Sequence, residues 1–213
     1  MLTCFLPAER RAPETEYAPF HLAPREADSR RPRSDAARNR DQLLAVATRL
    51  FASAGAEPSM RAIAQEAGVG IATLYRHFPT REALVDAVYR DQVTRLTDGA
   101  RDLLDELPPR AALRRWAELF GDWIATKNGM LDTLLAMIES GEIAHSRTQA
   151  ELFAAIDEIL GAGRATGELR ADVTAEDIAA SLIGIFTVAH PHEHEARASR
   201  LLTIVLDGLR PTP

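Results

Sequence analysis

Ser59, Arg61, Thr73, Tyr75, Arg76, His77 and Arg81 lie within one short stretch, and together they offer donors that can hold a polyanion. Hydroxyls, guanidinium groups and imidazole all donate to phosphate oxygens, and arginine also bonds a guanine edge in bidentate fashion. Gly70 and Ile71 open a short helix whose first N–H groups and positive dipole end face any anion nearby. By contrast, no nucleophile elbow, Walker-type loop or His-Glu-x-x-His pattern occurs in the 213 residues. An enzyme would need a site assembled from dispersed residues, so the chain reads as a non-enzyme.

Metal and nucleotide sites require other patterns. His190, His192 and His194 alternate around Pro191 and Glu193, but such a run on a loop between helices reads as solvated, and no metal site is assigned. The glycine-rich stretch from Gly161 to Gly167 follows a helix and not a strand, which makes it a helix end and turn. Cys4 is the sole cysteine, so disulfides and cysteine-based zinc sites are excluded. No cofactor is expected.

A stretch that reads nucleic acid needs rigid helices to present it. From Ser34 onward the sequence is alanine-rich, with apolar residues at a helical period and no alternating run, which predicts an all-α protein. A first helix is expected from Asp35 to Ala54, N-capped by Ser34, with Leu43, Leu44, Ala47, Leu50 and Phe51 on one face and Gly55 as its stop. Ser59 caps a short second helix to Ala67, burying Ile63 and Ala64. Gly68 then supplies a left-handed turn, and a third helix from Ile71 to His77 sends Leu74 inward before Phe78-Pro79 ends it. Two short helices around a glycine turn are the elements of a helix-turn-helix. Thr80 caps a long fourth helix carrying Leu84, Val88, Val93, Leu96 and Leu103. Further helices are expected over Arg110 to Lys127, Met130 to Glu139, Ser146 to Ala165, Ala175 to Val188 and Ala196 to Leu209.

Charge divides along the same line. The net charge of -6 hides 8 basic against 6 acidic residues over 33–90, and 12 against 20 over 91–213. A slightly basic module thus precedes an acidic partner with no reason to approach phosphate. Residues 1–33 hold five prolines and no apolar period, which predicts a disordered arm. Its Arg30, Arg31 and Arg33 could lie along a phosphate backbone or simply be solvated. No apolar run reaches the roughly 20 residues of a bilayer span, and the charged N-terminus lacks a signal-peptide core, so a cytoplasmic protein without membrane contact is expected. Arginine outnumbers lysine 24 to 1, as a GC-rich genome would give.

The ordered run near residues 40–86 resembles the TetR-type bacterial transcriptional regulators. It carries Leu50-Phe51, Ile63-Ala64, Ala67-Gly68-Val69, Thr73-Leu74-Tyr75, His77-Phe78, Arg81 and Leu84 in the family's order. The resemblance implies that Ser59, Thr73, Tyr75, His77 and Arg81 lie along phosphates of a double-stranded operator, and that Arg61, Ile71, Ala72 and Tyr75 face base edges. Family members often have a lysine or polar residue where Ile71 stands and an acid where Ala62 stands. Here Arg61 to guanine and apolar contacts to thymine methyls are left as the base-specific terms. The chain then divides into residues 34–80 as reader and 81–213 as a helical regulatory and dimerisation domain.

The resemblance also implies that the last two helices pair in a homodimer. Ile178, Leu182, Ile185 and Phe186, with Leu201, Ile204, Val205 and Leu209, give more apolar stripe than one protomer's core requires. Between reader and dimer face lies an aromatic and methionine-rich set: Trp116, Phe120, Trp123, Met130, Leu134, Met137, Phe153 and Ile156. It is a candidate pocket for a small, mainly apolar effector, against the competing expectation of plain bundle core. Asp122, Asn128 and Glu139 are the polar groups that could orient a ligand there. The expected function is a ligand-responsive repressor, set against an all-helical binding protein that no longer reads DNA.

Overall fold

A computed structural model describes residues 30–53, 57–188 and 195–211. Among the described residues there are nine α-helices and no strand: α1 (Arg30–Ala52), α2 (Met60–Glu66), α3 (Ile71–His77), α4 (Arg81–Glu106), α5 (Pro109–Asn128), α6 (Leu131–Glu139), α7 (His145–Thr166), α8 (Ala175–Val188) and α9 (Glu195–Gly208). Local chemistry sets most of the limits. Ser59 and Thr80 accept from the amides of Ala62 and Ala83, each at 3.2 Å, as N-caps of α2 and α4. Pro109 sits at the first position of α5, where no N–H is needed, and Gly167 closes α7 at φ 72°.

The start of α1 differs from expectation. The helix begins at Arg30, so Ser34 lies inside it and does not cap it, and the last residues of the supposed arm are helical. Arginine and alanine propagate a helix at little cost, and Pro32 falls in the first turn, where its missing N–H removes no bond. Gly55, Cys4 and the histidines at 190, 192 and 194 lie outside the described residues.

One continuous apolar core runs from Leu43 in α1 to Leu209 beyond α9. At its centre is α5, which buries Leu113, Trp116, Phe120, Trp123 and Ile124 and packs against α1, α4, α7, α8 and α9. The long α4 lies between α5 and α7 and continues from the reader into the bundle. No described helix is long and apolar enough to cross a membrane.

Candidate nucleic-acid interface

The turn between α2 and α3 is held from both sides. Gly68 takes φ 67°, a conformation that side chains with a Cβ rarely adopt, and the Val69 amide donates back to Ala64 O at 3.0 Å. From α1, Gln42 Nε2 donates to Ala67 O at 2.9 Å, and Arg49 pairs with Glu66 at 2.6 Å. Leu74 is fully buried beneath α3, which fixes the face that the helix turns outward. That face holds Ile71, Ala72, Tyr75 and Arg76, all exposed, with Thr73 and His77 half-buried at its edges. Tyr75 is 47% exposed, so its ring stands out further than a core-packed ring would. Gly70 and Arg61 are exposed beside it. The Ser59 hydroxyl accepts the Ala62 amide through its oxygen and keeps its proton to donate elsewhere.

Arg81 is used differently from the expected phosphate contact. Its Nη1 donates to Pro58 O at 2.7 Å and its Nε to Thr133 Oγ1 at 3.3 Å. Its Nη2 stands 3.0 Å from Glu57 Oε2, an ion pair whose angle falls short of a hydrogen bond. Thr133 in turn donates to Glu57 Oε1 at 3.2 Å, and the guanidinium carbon lies 5.8 Å from the Phe51 ring centroid. All three of its nitrogens thus have partners within the protomer, and Arg81 ties the entrance of α2 to α6. Sequence could not supply this, since Thr133 lies far along the chain.

The aromatic set is tightly packed. Trp116 stacks on Phe120 at 5.5 Å, Phe120 meets Trp123 at 5.2 Å, and Trp123 meets Tyr89 of α4 at 6.4 Å. Trp116 Nε1 donates to Leu96 O at 2.8 Å. Met130, Leu134, Met137 and Ile156 are buried among them and Phe153 half-buried, while Asp122, Asn128 and Glu139 are exposed. These residues form bundle core. A cleft of about 330 Å³ opens beside them, lined by Tyr89, Val93, Ile143 and Thr148, of which the apolar spacing singles out Val93 alone. Lys127, the single lysine, lies 5.2 Å over the Trp123 ring, and burial lowers the pKa of its ammonium group.

The set expected at a dimer face divides in two. Ile178, Leu182, Ile185 and Leu209 are buried within the protomer. Phe186 presses its ring on Gly121 of α5, where a Cβ would come within 2.5 Å. Leu201 and Val205 are half-buried, and Ile204 is 66% exposed. On α8 the outward face is instead Ala180, Ile183, Gly184 and Thr187, with Ile183 48% exposed. Sequence reasoning missed Ile183 because α8 is apolar on nearly every side.

The comparisons with known proteins agree with this architecture. A profile of bacterial regulatory proteins of the tetR family matches residues 43–88, and one for the C-terminal domain of SbtR-like transcriptional regulators matches residues 108–211. A TetR transcriptional regulator of Streptomyces coelicolor is 45% identical, covering 82% of this chain and 99% of that one, with a TM-score of 0.74. A TetR regulatory protein of Mycobacterium vanbaalenii is 37% identical over 84% of this chain and 99% of that one, with a TM-score of 0.66. The HTH-type transcriptional repressor KstR2 of Mycolicibacterium smegmatis is 37% identical over 73 residues, 34% of this chain and 36% of that protein. That match therefore spans about a third of the relative. The chain belongs to the TetR family of transcriptional regulators.

Proposed function

We propose that the protein is a cytoplasmic repressor that binds a palindromic operator as a homodimer and leaves it when a small molecule binds the helical domain. The observation that carries this reading is the outward face of α3, where Ile71, Ala72, Tyr75 and Arg76 stand free above a fully buried Leu74. In the major groove this face would set Arg61, Ile71, Ala72 and Tyr75 toward base edges. Ser59, Gly70, Thr73, Arg76 and His77 would lie along phosphates. Arg81 takes no part in that contact. A repressor role is also supported by the likeness to KstR2 over part of the chain.

Ile183 and Ile204 support the dimer, because large apolar side chains this exposed on two adjacent helices gain from a second copy. Two reading heads would then meet half-sites about 34–36 Å apart. Footprinting on the DNA flanking the protein's own gene tests the proposal. The wild type should protect a palindrome, and Arg61→Ala should cost about 1–3 kcal/mol and relax preference at one base pair. A folded wild type that protects no DNA would leave the interaction-protein reading in its place.

A further inference from the structure

The cleft between α4 and the segment joining α6 to α7 carries a feature that the core does not explain. Tyr89 is 3% exposed, and its hydroxyl is buried without a hydrogen-bond partner. The Thr148 hydroxyl sits beside it without completing a bond. Buried polar groups in native folds are nearly always paired, so one left open at the lining of a cavity is a group awaiting a partner. Burial pushes the Tyr89 pKa up, so at neutral pH the group holds its proton and can donate.

The remaining lining narrows the chemistry. Val93, Ile143 and Ala144 supply an apolar wall. The rim carries three carboxylates, Asp86, Glu142 and Glu151, against two arginines, of which Arg90 pairs with Asp86 at 2.8 Å and Arg147 with Glu151 at 2.9 Å, so it offers an anionic ligand no net attraction. The volume of about 330 Å³ falls at the lower end of the ~300–1,000 Å³ typical of small-molecule sites.

We infer that this cleft is the effector site, and that its occupant is a small uncharged molecule whose carbonyl or ether oxygen accepts a hydrogen bond from the Tyr89 hydroxyl while its hydrocarbon part lies against Val93 and Ile143. The inference rests on the reading of the protein as a ligand-responsive regulator. It moves the site from the packed Trp116, Phe120 and Trp123 core to the cleft that borders it.

Three probes separate the terms. Cyclohexanone and methylenecyclohexane share a ring and shape and differ in the acceptor oxygen, and cyclohexanecarboxylate adds a charge. Each is titrated at millimolar concentration into the full-length protein, without DNA, and Kd is read from the Ile143 methyl and Tyr89 ring resonances. Cyclohexanone is expected to bind at least tenfold more tightly than either other probe. Tyr89→Phe should abolish that margin, leave methylenecyclohexane unchanged, and raise the Tm of the free protein by about 2–4 °C by removing an unmatched hydroxyl. Ala144→Phe, at an exposed position on the cleft wall, should block all binding with Tm unchanged. Equal binding of ketone and hydrocarbon, preference for the carboxylate, no binding of any probe, or a lowered Tm in Tyr89→Phe would each overturn the inference. Because no DNA is present, its failure is visible separately from a failure of operator binding.

Discussion

A Cβ built on Gly129 would stand 1.7 Å from the carbonyl oxygen of Phe51. The last turn of α1 therefore rests directly on the backbone where α5 gives way to α6, and the reader and the bundle meet there with no side chain between them. Gly129→Ala should force the two backbones apart and lower the unfolding free energy by about 1–3 kcal/mol. Gly161→Ala in α7, where a Cβ meets open space, should raise it by about 0.5–1 kcal/mol. Urea denaturation of both variants checks the pair, and equal stability would mean that the close contact is absent in solution.

Removing Arg81 takes the counter-charge from the Glu57 carboxylate and a donor from the Pro58 carbonyl. The pair is only about a quarter exposed, at 24% and 27%, so Arg81→Ala should cost about 1–3 kcal/mol, toward the lower end because solvent still reaches both groups. Thr133→Val should couple to it by more than about 0.5 kcal/mol in a double-mutant cycle. Operator binding should weaken with the slope of affinity against salt unchanged. A slope shallower by about 1 would show instead that Arg81 meets a phosphate.

Light scattering tests the proposed face between two copies against the face that holds one copy together. The wild type should be a dimer at micromolar concentration. Ile204→Glu and Ile183→Glu should be folded monomers, since each places a charge on the outward face alone. Phe186→Glu should unfold the chain, because that ring packs against Gly121 within the protomer. A monomeric wild type would remove the basis for a palindromic operator.

Acid should loosen the approach to α8 in a defined window. The Arg170 fork, at 2.7 Å on both oxygens, holds the Asp172 carboxyl down to about 2 from an ordinary 3.8. The amide and hydroxyl of Thr174, each at 2.9 Å, lower that of Asp177. Both folded pKa values lie below the unfolded one, so the stabilisation is fully present above about pH 4 and is lost as pH falls toward 2. Thermal scans should be flat across this contribution from pH 7 to 5 and fall below 4. The Asp172→Asn, Asp177→Asn variant should start lower at pH 7 and lose less between pH 4 and 2.

Legibility followed the range over which each contact acts. The expected limits of α3 and α8 coincide with the structure because Gly70, Phe78-Pro79 and Thr174 act within a turn of the helix they bound. The start of α1 was misplaced because Ser34 looks like a cap, whereas the arginines before it extend the helix readily. The family resemblance assigns Arg81 to a phosphate, whereas Thr133, which engages it, is 52 residues away. Tyr89 falls on the core face of α4 by period, and only the surroundings of its hydroxyl set it apart.

The bond from Trp116 Nε1 to Leu96 O holds α4 to α5 near the middle of its length. At about 1.5 Å of rise per residue, Tyr89 lies about 10 Å from that point and Arg81 about 22 Å on the same side. Were an occupant of the cleft to turn α4 about Leu96, a sideways displacement at Tyr89 would reach its reader end about doubled. The proposed effector cleft is thus placed where a small displacement of α4 would be enlarged before it reached α3.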